Sequence, residues 1–248
     1  MSLSTQQLGL ARGERRLLHD VNMQLQPGEA LRVAGENGSG KTSFLRILAG
    51  LALPGSGTVR WQGEDISQLR EQYYAQILYL GHAQGVKDDL VAWENLVLSA
   101  RLQGQRVSEA QAVQTLVQLG LAACVDLPVR ALSQGQRKRV ALARLHLGLP
   151  ARLWILDEAF TALDVASVAQ LLDCINRHLQ TGGMLVYTTH QEVTLQAGQH
   201  WLLDLSAAAG AQQQTSLPAA PAMEASQATP AAQPMTDEAG KTMPQVLA

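Results

Sequence analysis

Gly35-Glu-Asn-Gly-Ser-Gly40-Lys41-Thr42 sets three glycines, an ammonium and a hydroxyl within one short stretch. Glycines let a backbone wrap closely around an anion, so that successive N–H groups and the start of a following helix point at it. In such a loop Lys41 would reach the β and γ oxygens of a nucleoside triphosphate, and Thr42 would offer its hydroxyl to Mg²⁺. Much further along the chain two carboxylates stand together, Asp157 and Glu158. Asp157 suits coordination of a hard cation that wants oxygen ligands. Glu158 suits orienting or deprotonating the water that attacks a γ-phosphate. Each has a plainer reading, a glycine-rich turn or a solvated acid pair, but together they point to triphosphate hydrolysis.

The elements around these residues agree with that chemistry. Residues 31–34 form an apolar strand leading into the glycine loop, and 44–48 continue it as a helix; the acids end the apolar run Leu153–Leu156. In open α/β sheets, ligands bind at the carboxyl ends of the strands. Apolar runs at 30–34, 77–80, 153–156 and 184–188, separated by helical patterns, predict a largely parallel sheet with covered faces, closing with a last strand at 201–205. Between residues 92 and 147 the apolar residues recur at helical spacing, which predicts an inserted helical subdomain whose last helix runs from Arg137 to Leu147. From 206 to 248 the chain turns to Ala, Gln, Pro, Thr and Ser, with no aromatic residue, and is expected to be a disordered tail, leaving one domain over 1–205.

Composition narrows the partners. With 46% hydrophobic and 16% charged residues among 248, the chain can bury a large core, and a formal charge of −2 gives no global basic excess that would advertise nucleic acid. No apolar run is long enough to cross a bilayer, and the first residues lack the apolar core of a signal peptide, so a cytosolic start with membrane association through a partner is expected. Cys124 and Cys174 have no metal-type spacing and are expected to be unpaired thiols in a reducing compartment.

Three further stretches carry a family resemblance. Leu132-Ser-Gln-Gly-Gln136 resembles the signature motif of ATP-binding cassette (ABC) ATPases, Thr161-Ala-Leu-Asp164 their D-loop, and Thr188-Thr-His190 their switch histidine, all in the family's order with the phosphate loop and the acid pair, over about residues 3 to 205. The resemblance implies a P-loop ABC ATPase fold: a mainly parallel α/β core, an N-terminal antiparallel β part and the helical insertion. It implies ATP and Mg²⁺ as ligands. Gly35, Glu36, Asn37, Gly38, Ser39, Gly40, Lys41 and Thr42 would bind nucleotide; Thr42 and Asp157 would hold the metal; Glu158, His190 and His82 would serve hydrolysis. Ser133 and Gly135 would contact the γ-phosphate held by a second copy, so the chain would work as a homodimer.

The closer resemblance, in 153–164, 182–191 and 46–51, is to the haem-exporter ATPases of bacterial cytochrome c biogenesis. These imply a peripheral place on the cytoplasmic face of the inner membrane, an integral membrane partner (CcmB-like) and other cytochrome c maturation proteins. The alternatives are an ATPase for another export substrate, such as a lipid or drug, and a soluble ABC assembly module. His82 stands where most ABC ATPases carry a glutamine, and Mg²⁺ prefers oxygen to imidazole, so His82 is expected to hold water. Two departures stand out. Ala159 replaces a common proline after the acids, and near residues 10–14 no aromatic is available to stack on adenine, where Arg12 is the available planar group.

Overall fold

The computed structural model describes residues 1–81, 85–206, 212 and 214–217. The chain opens with an antiparallel hairpin, β1 (Leu3–Arg12) and β2 (Arg15–Leu25), in which Leu3, Leu8, Val21 and Leu25 are fully buried; a register shift between Thr5 and Leu8 brings Leu3 and Leu8, five residues apart, to the same face. It continues through β3 (Ala30–Ala34) into α1 (Lys41–Leu48). β4 (Ser56–Trp61) then returns to pair with β1, and β5 (Glu64–Asp65) closes a four-stranded sheet of order β2-β1-β4-β5. This is the antiparallel part that the resemblance implied.

Two short helical turns, α2 (Ile66–Leu69) and α3 (Glu71–Tyr74), lead to β6 (Ile77–Leu80). Helices α4 (Ala92–Leu102), α5 (Glu109–Gln118) and α6 (Gln134–Ala143) follow, and the chain re-enters the core at β7 (Leu153–Leu156). α7 (Val165–Gln180), β8 (Met184–Tyr187), β9 (His200–Asp204) and β10 (Thr215–Ser216) complete a second sheet of order β10-β9-β3-β8-β7-β6. All its pairings are parallel except β10 against β9.

The packing explains why β7 and β8 read as unbroken apolar runs rather than alternating ones. Leu153 and Ile155 of β7, with Met184 and Val186 of β8, pack toward α1 and the antiparallel sheet. Trp154 and Leu156, with Leu185 and Tyr187, pack toward α7. A parallel strand covered on both faces has no solvent side on which to place polar residues. α1 lies between the two sheets, with Phe44, Leu45, Ile47 and Leu48 fully buried, and burial stabilises by roughly 1.5–3 kcal/mol for each such side chain. The helices between 92 and 147 have their own core, built on Leu96, Ala112, Leu116, Val129 and Val140. Buried Asn95 anchors the entry to it: its amide group accepts from Lys87 N at 2.6 Å and donates to the Lys87 and Val91 carbonyls.

Two expectations change at boundaries. The helix after the signature stretch begins at Gln134 rather than 137, because Ser133 caps it, accepting from Gln136 N while Gln136 reaches back to Ser133 N at 2.8 Å. It ends at Ala143, and Arg144–Leu147 continues as a 3₁₀ turn. Ordered structure also runs past residue 205. Gln212 is 2% exposed; its side chain accepts from His19 N and donates to Leu205 O, and Thr215 and Ser216 pair with Leu202 and Trp201. The side chains of Gln212 and Gln214, which bring little apolar surface to a core, instead bond groups of β2 and of Leu205 just after β9. Both cysteines are buried and unpaired.

Candidate nucleotide site

Neighbouring strands β3, β8 and β7 all end on one edge of the parallel sheet, and each delivers one part of the site. After β3 the backbone turns through Gly35 (φ +142°), Gly38 (φ +80°) and Gly40 (φ +106°), the last being the N-cap of α1. A side chain at Gly40 would be strained by that φ and would meet Leu17 Cβ at 3.2 Å, so the loop is pinned against β2. Lys41 Nζ lies back over this loop, donating to Gly35 O at 2.7 Å and Glu36 O at 3.0 Å. Ser39, 8% exposed, has a hydroxyl oxygen without a hydrogen-bond partner. A buried orphan hydroxyl beside an ammonium and a helix start fits a phosphate group.

Asp157, at the end of β7 and 3% exposed, is shared by hydroxyls from both neighbours. Thr42 Oγ1 donates to its Oδ2 at 2.8 Å and Thr188 Oγ1 to its Oδ1 at 2.7 Å. Thr42 and Asp157 thus place two oxygen donors side by side at the α1 start, which fits Mg²⁺, an ion that takes few protein ligands and completes its shell with phosphate and water. Among the described residues no cluster of three or more His, Cys, Asp or Glu could hold a metal by itself.

Glu158 follows in a left-handed backbone conformation (φ +50°). For a residue with a side chain this conformation is costly and persists only where surroundings impose it. Thr188 Oγ1 accepts from Glu158 N at 2.8 Å, and Lys138 Nζ donates to Glu158 O at 3.0 Å. The result turns the Glu158 carboxylate to His190, Oε1 to Nε2 being 3.4 Å. Ala159, in the position of the common proline, is 1% exposed.

The structure brings Lys41, Thr42, Asp157, Glu158 and His190 to one edge. Ser133 and Gly135 lie elsewhere on the same chain, at the start of α6 beside the 158–164 turn, where a Cβ on Gly135 would stand 3.7 Å from Ala162 O. Among the described residues no hydrogen bond joins Ser133 or Gly135 to the 35–42 loop. Asp164 caps α7 by accepting from Ser167 N at 2.7 Å, and that bond first of all holds its carboxyl below the usual range. Arg12 sits exposed at the tip of the β1–β2 hairpin, opposite Arg15. His82 lies outside the described residues. Of the other histidines, His178 stacks on Trp154 at 3.8 Å, and His200 meets the Tyr187 hydroxyl at 2.8 Å.

Three contributors were not identified from sequence. Thr188 stood inside a recognised motif, but its two-way hydrogen bonding required knowing that β8 neighbours β7. In the sequence Lys138 is one cation among several on α6, and Ser206, whose Oγ accepts from Glu36 N at 2.9 Å, falls in the expected tail. No local signal marks either.

The ABC transporter family model matches residues 18–161. The chain belongs to the ABC transporter family and is one of its ATP-hydrolysing enzymes. Within the family it is 48% identical to the cytochrome c biogenesis ATP-binding export protein CcmA of Aromatoleum aromaticum, over 80% of this chain and 92% of that protein. To the protein of the same name from Nitrosomonas europaea it is 50% identical, over 78% and 90%. Among solved structures, the ATP-binding subunit of an ABC transporter shares its fold (TM-score 0.72, 23% identity, 88% of this chain and 90% of that one). So does the dimeric cassette MJ0796 in a post-hydrolysis state with ADP and Pi (TM-score 0.71, 20% identity, 87% and 99%). Among the described residues no helix is long and apolar enough to cross a membrane.

Proposed function

We propose that the chain is the ATP-hydrolysing subunit of an ABC assembly for haem export in cytochrome c biogenesis, working on the cytoplasmic face of the bacterial inner membrane with a CcmB-like integral partner. The observation that carries the catalytic part is the continuous chain Thr42–Asp157–Thr188–Glu158–His190 beside Lys41. Relatives at 44–50% identity named as cytochrome c biogenesis ATP-binding export proteins support a place in export for cytochrome c biogenesis.

In this reading residues 35–42 bind the nucleotide phosphates, with Lys41 leaving the Gly35 and Glu36 carbonyls for phosphate oxygens. Thr42 and Asp157 hold Mg²⁺, which when bound neutralises charge on the β and γ phosphates. Glu158 orients the attacking water and takes its proton, and His190, within reach of the same carboxylate, hydrogen-bonds the γ-phosphate and that water. Ser133 and Gly135, turned away from their own loop at a capped helix start, suit donation to the nucleotide of a second copy, which makes the working unit a homodimer. His82 enters only through its place in the sequence, as a ligand of water rather than of metal.

The test is Glu158→Gln in the full chain. Nucleotide affinity should stay within a few-fold while turnover falls by more than roughly 100-fold, the scale of a lost general base, and the ATP-bound dimer should accumulate on gel filtration. Wild-type turnover would remove Glu158 from the base position. For the substrate, failure to copurify with a CcmB-like membrane subunit, or normal c-type cytochrome maturation in cells lacking the chain, would refute haem export.

A further inference from the structure

Lys138 is a buried cation to which the proposed reaction gives no role. It lies on α6 and is 8% exposed, and lysines are seldom buried without a partner. Burial lowers the pKa of its ammonium, while the nearby Glu158 and Asp157 carboxylates act the other way. Its Nζ donates 3.0 Å to the carbonyl oxygen of Glu158. That is the residue whose backbone is left-handed, whose N–H is already taken by Thr188, and whose successor is Ala159, with no ring to stiffen the turn. The backbone of Glu158 is therefore held on both of its flanking peptides, by a strand-end hydroxyl at its N–H and by a helix-borne ammonium at its carbonyl.

We propose that Lys138 is a positioning residue for hydrolysis: by holding the Glu158 carbonyl it aims the carboxylate of the base and ties that aim to helix α6. This rests on the reading of Glu158 as the base. The helix matters because Ser133 and Gly135, at its start, are the groups suited to a second copy's nucleotide, and Lys138 follows about one turn later on the same rigid rod. A shift of α6 as it engages the second copy moves the ammonium and the Glu158 peptide together. Engagement at one site is thereby felt at the base of the other.

The experiment compares Lys138→Met, Lys138→Arg and Lys138→Gln with Glu158→Gln in the full chain. Steady-state ATPase, binding of a fluorescent ATP analogue and thermal unfolding are measured for each. Methionine keeps the stem and removes the donor, whereas arginine and glutamine can still donate to a carbonyl. Lys138→Met should lose roughly 10- to 100-fold in kcat, the effect of one charge-assisted hydrogen bond, with nucleotide affinity within twofold and the folded fraction at assay temperature unchanged. Arginine or glutamine should restore most of the rate. If Lys138→Met turns over within twofold of wild type while Glu158→Gln is inactive, the positioning role is wrong and the base assignment stands. If the rate loss follows affinity or unfolding, or neither donor variant restores it, Lys138 is a structural residue and the proposal fails. If Glu158→Gln itself turns over normally, the base assignment is wrong and the proposal falls with it.

Discussion

Replacing Thr188 by valine exchanges one hydroxyl for a methyl group at nearly constant volume, in a side chain that is 1% exposed. Two bonds disappear, the 2.7 Å donation to Asp157 Oδ1 and the 2.8 Å acceptance from Glu158 N. A hydrogen bond to a charged group contributes about 1.5–3 kcal/mol, and a buried N–H left without a partner costs about 1–3 kcal/mol. The two bonds share one oxygen and are not additive, so the expected loss is about 2–4 kcal/mol. At about 2–4 °C per kcal/mol for a domain of this size, the melting temperature should fall by about 5–15 °C. Calorimetry on the full chain measures this. Thr188→Ser, which keeps the hydroxyl, should lose about 1 kcal/mol for the missing methyl. Thr189→Val loses a side-chain acceptor for Gln191 N and serves as a neighbouring comparison. ATPase measured well below the lowered melting temperature should remain depressed in Thr188→Val, because the Glu158 peptide has lost one of its two anchors. A Thr188→Val protein within about 0.5 kcal/mol of wild type, or a serine variant equally destabilised, would refute this account of the site.

Other perturbations reach different parts of the molecule. Burial, reinforced by Arg152 and opposed by the bond to Met184 O, pushes His178 down to about 4. Between pH 6.5 and 4 the unfolded chain therefore takes up a proton that the folded chain refuses, so stability is highest above 6.5 and falls toward pH 4, by up to about 3 kcal/mol from this residue. His146 and His200, also lowered chiefly by burial, act in the same direction, so His178→Phe should flatten the pH dependence of urea midpoints without abolishing it; an unchanged slope would contradict the assignment. Gln212→Ala leaves His19 N and Leu205 O without their side-chain partner and should cost about 1–3 kcal/mol, read by urea unfolding. His82→Gln should shift the acid limb of the ATPase pH profile, since an imidazole titrates near pH ~6.5; superimposable profiles would remove His82 from the reaction.

The α/β architecture was legible because each apolar run had strand length and each amphipathic run helical period, and the structure bears out the mainly parallel sheet, the antiparallel start and the helical insertion. The phosphate loop was legible for a local reason as well. Its chemistry depends on glycine dihedrals, a helix start and one following lysine, all contained within a few residues. Gln212, within the expected tail, departs from its composition for the opposite reason. Composition reports whether a stretch can build a core, and Gln212 instead completes hydrogen bonds of strands that already have one. Helix α6 starts before its expected first residue because the 3.6-residue apolar pattern begins later than the Ser133 cap that sets the helix.

The sequence by itself determined which chemical groups are present and much of the local backbone that presents them: glycines at the positive φ angles of the phosphate loop, a cap where a helix starts, carboxylates where a strand ends. Only the tertiary structure decided who satisfies whom. Asp157 is joined to Thr42 across 115 residues and to Thr188 across 31, and Glu158 is held by Thr188 and by Lys138 on a different element. The need of a buried carboxylate or peptide for hydrogen-bond partners is fixed by its chemistry, but the partner is whichever group the strand order and helix packing bring within about 3 Å.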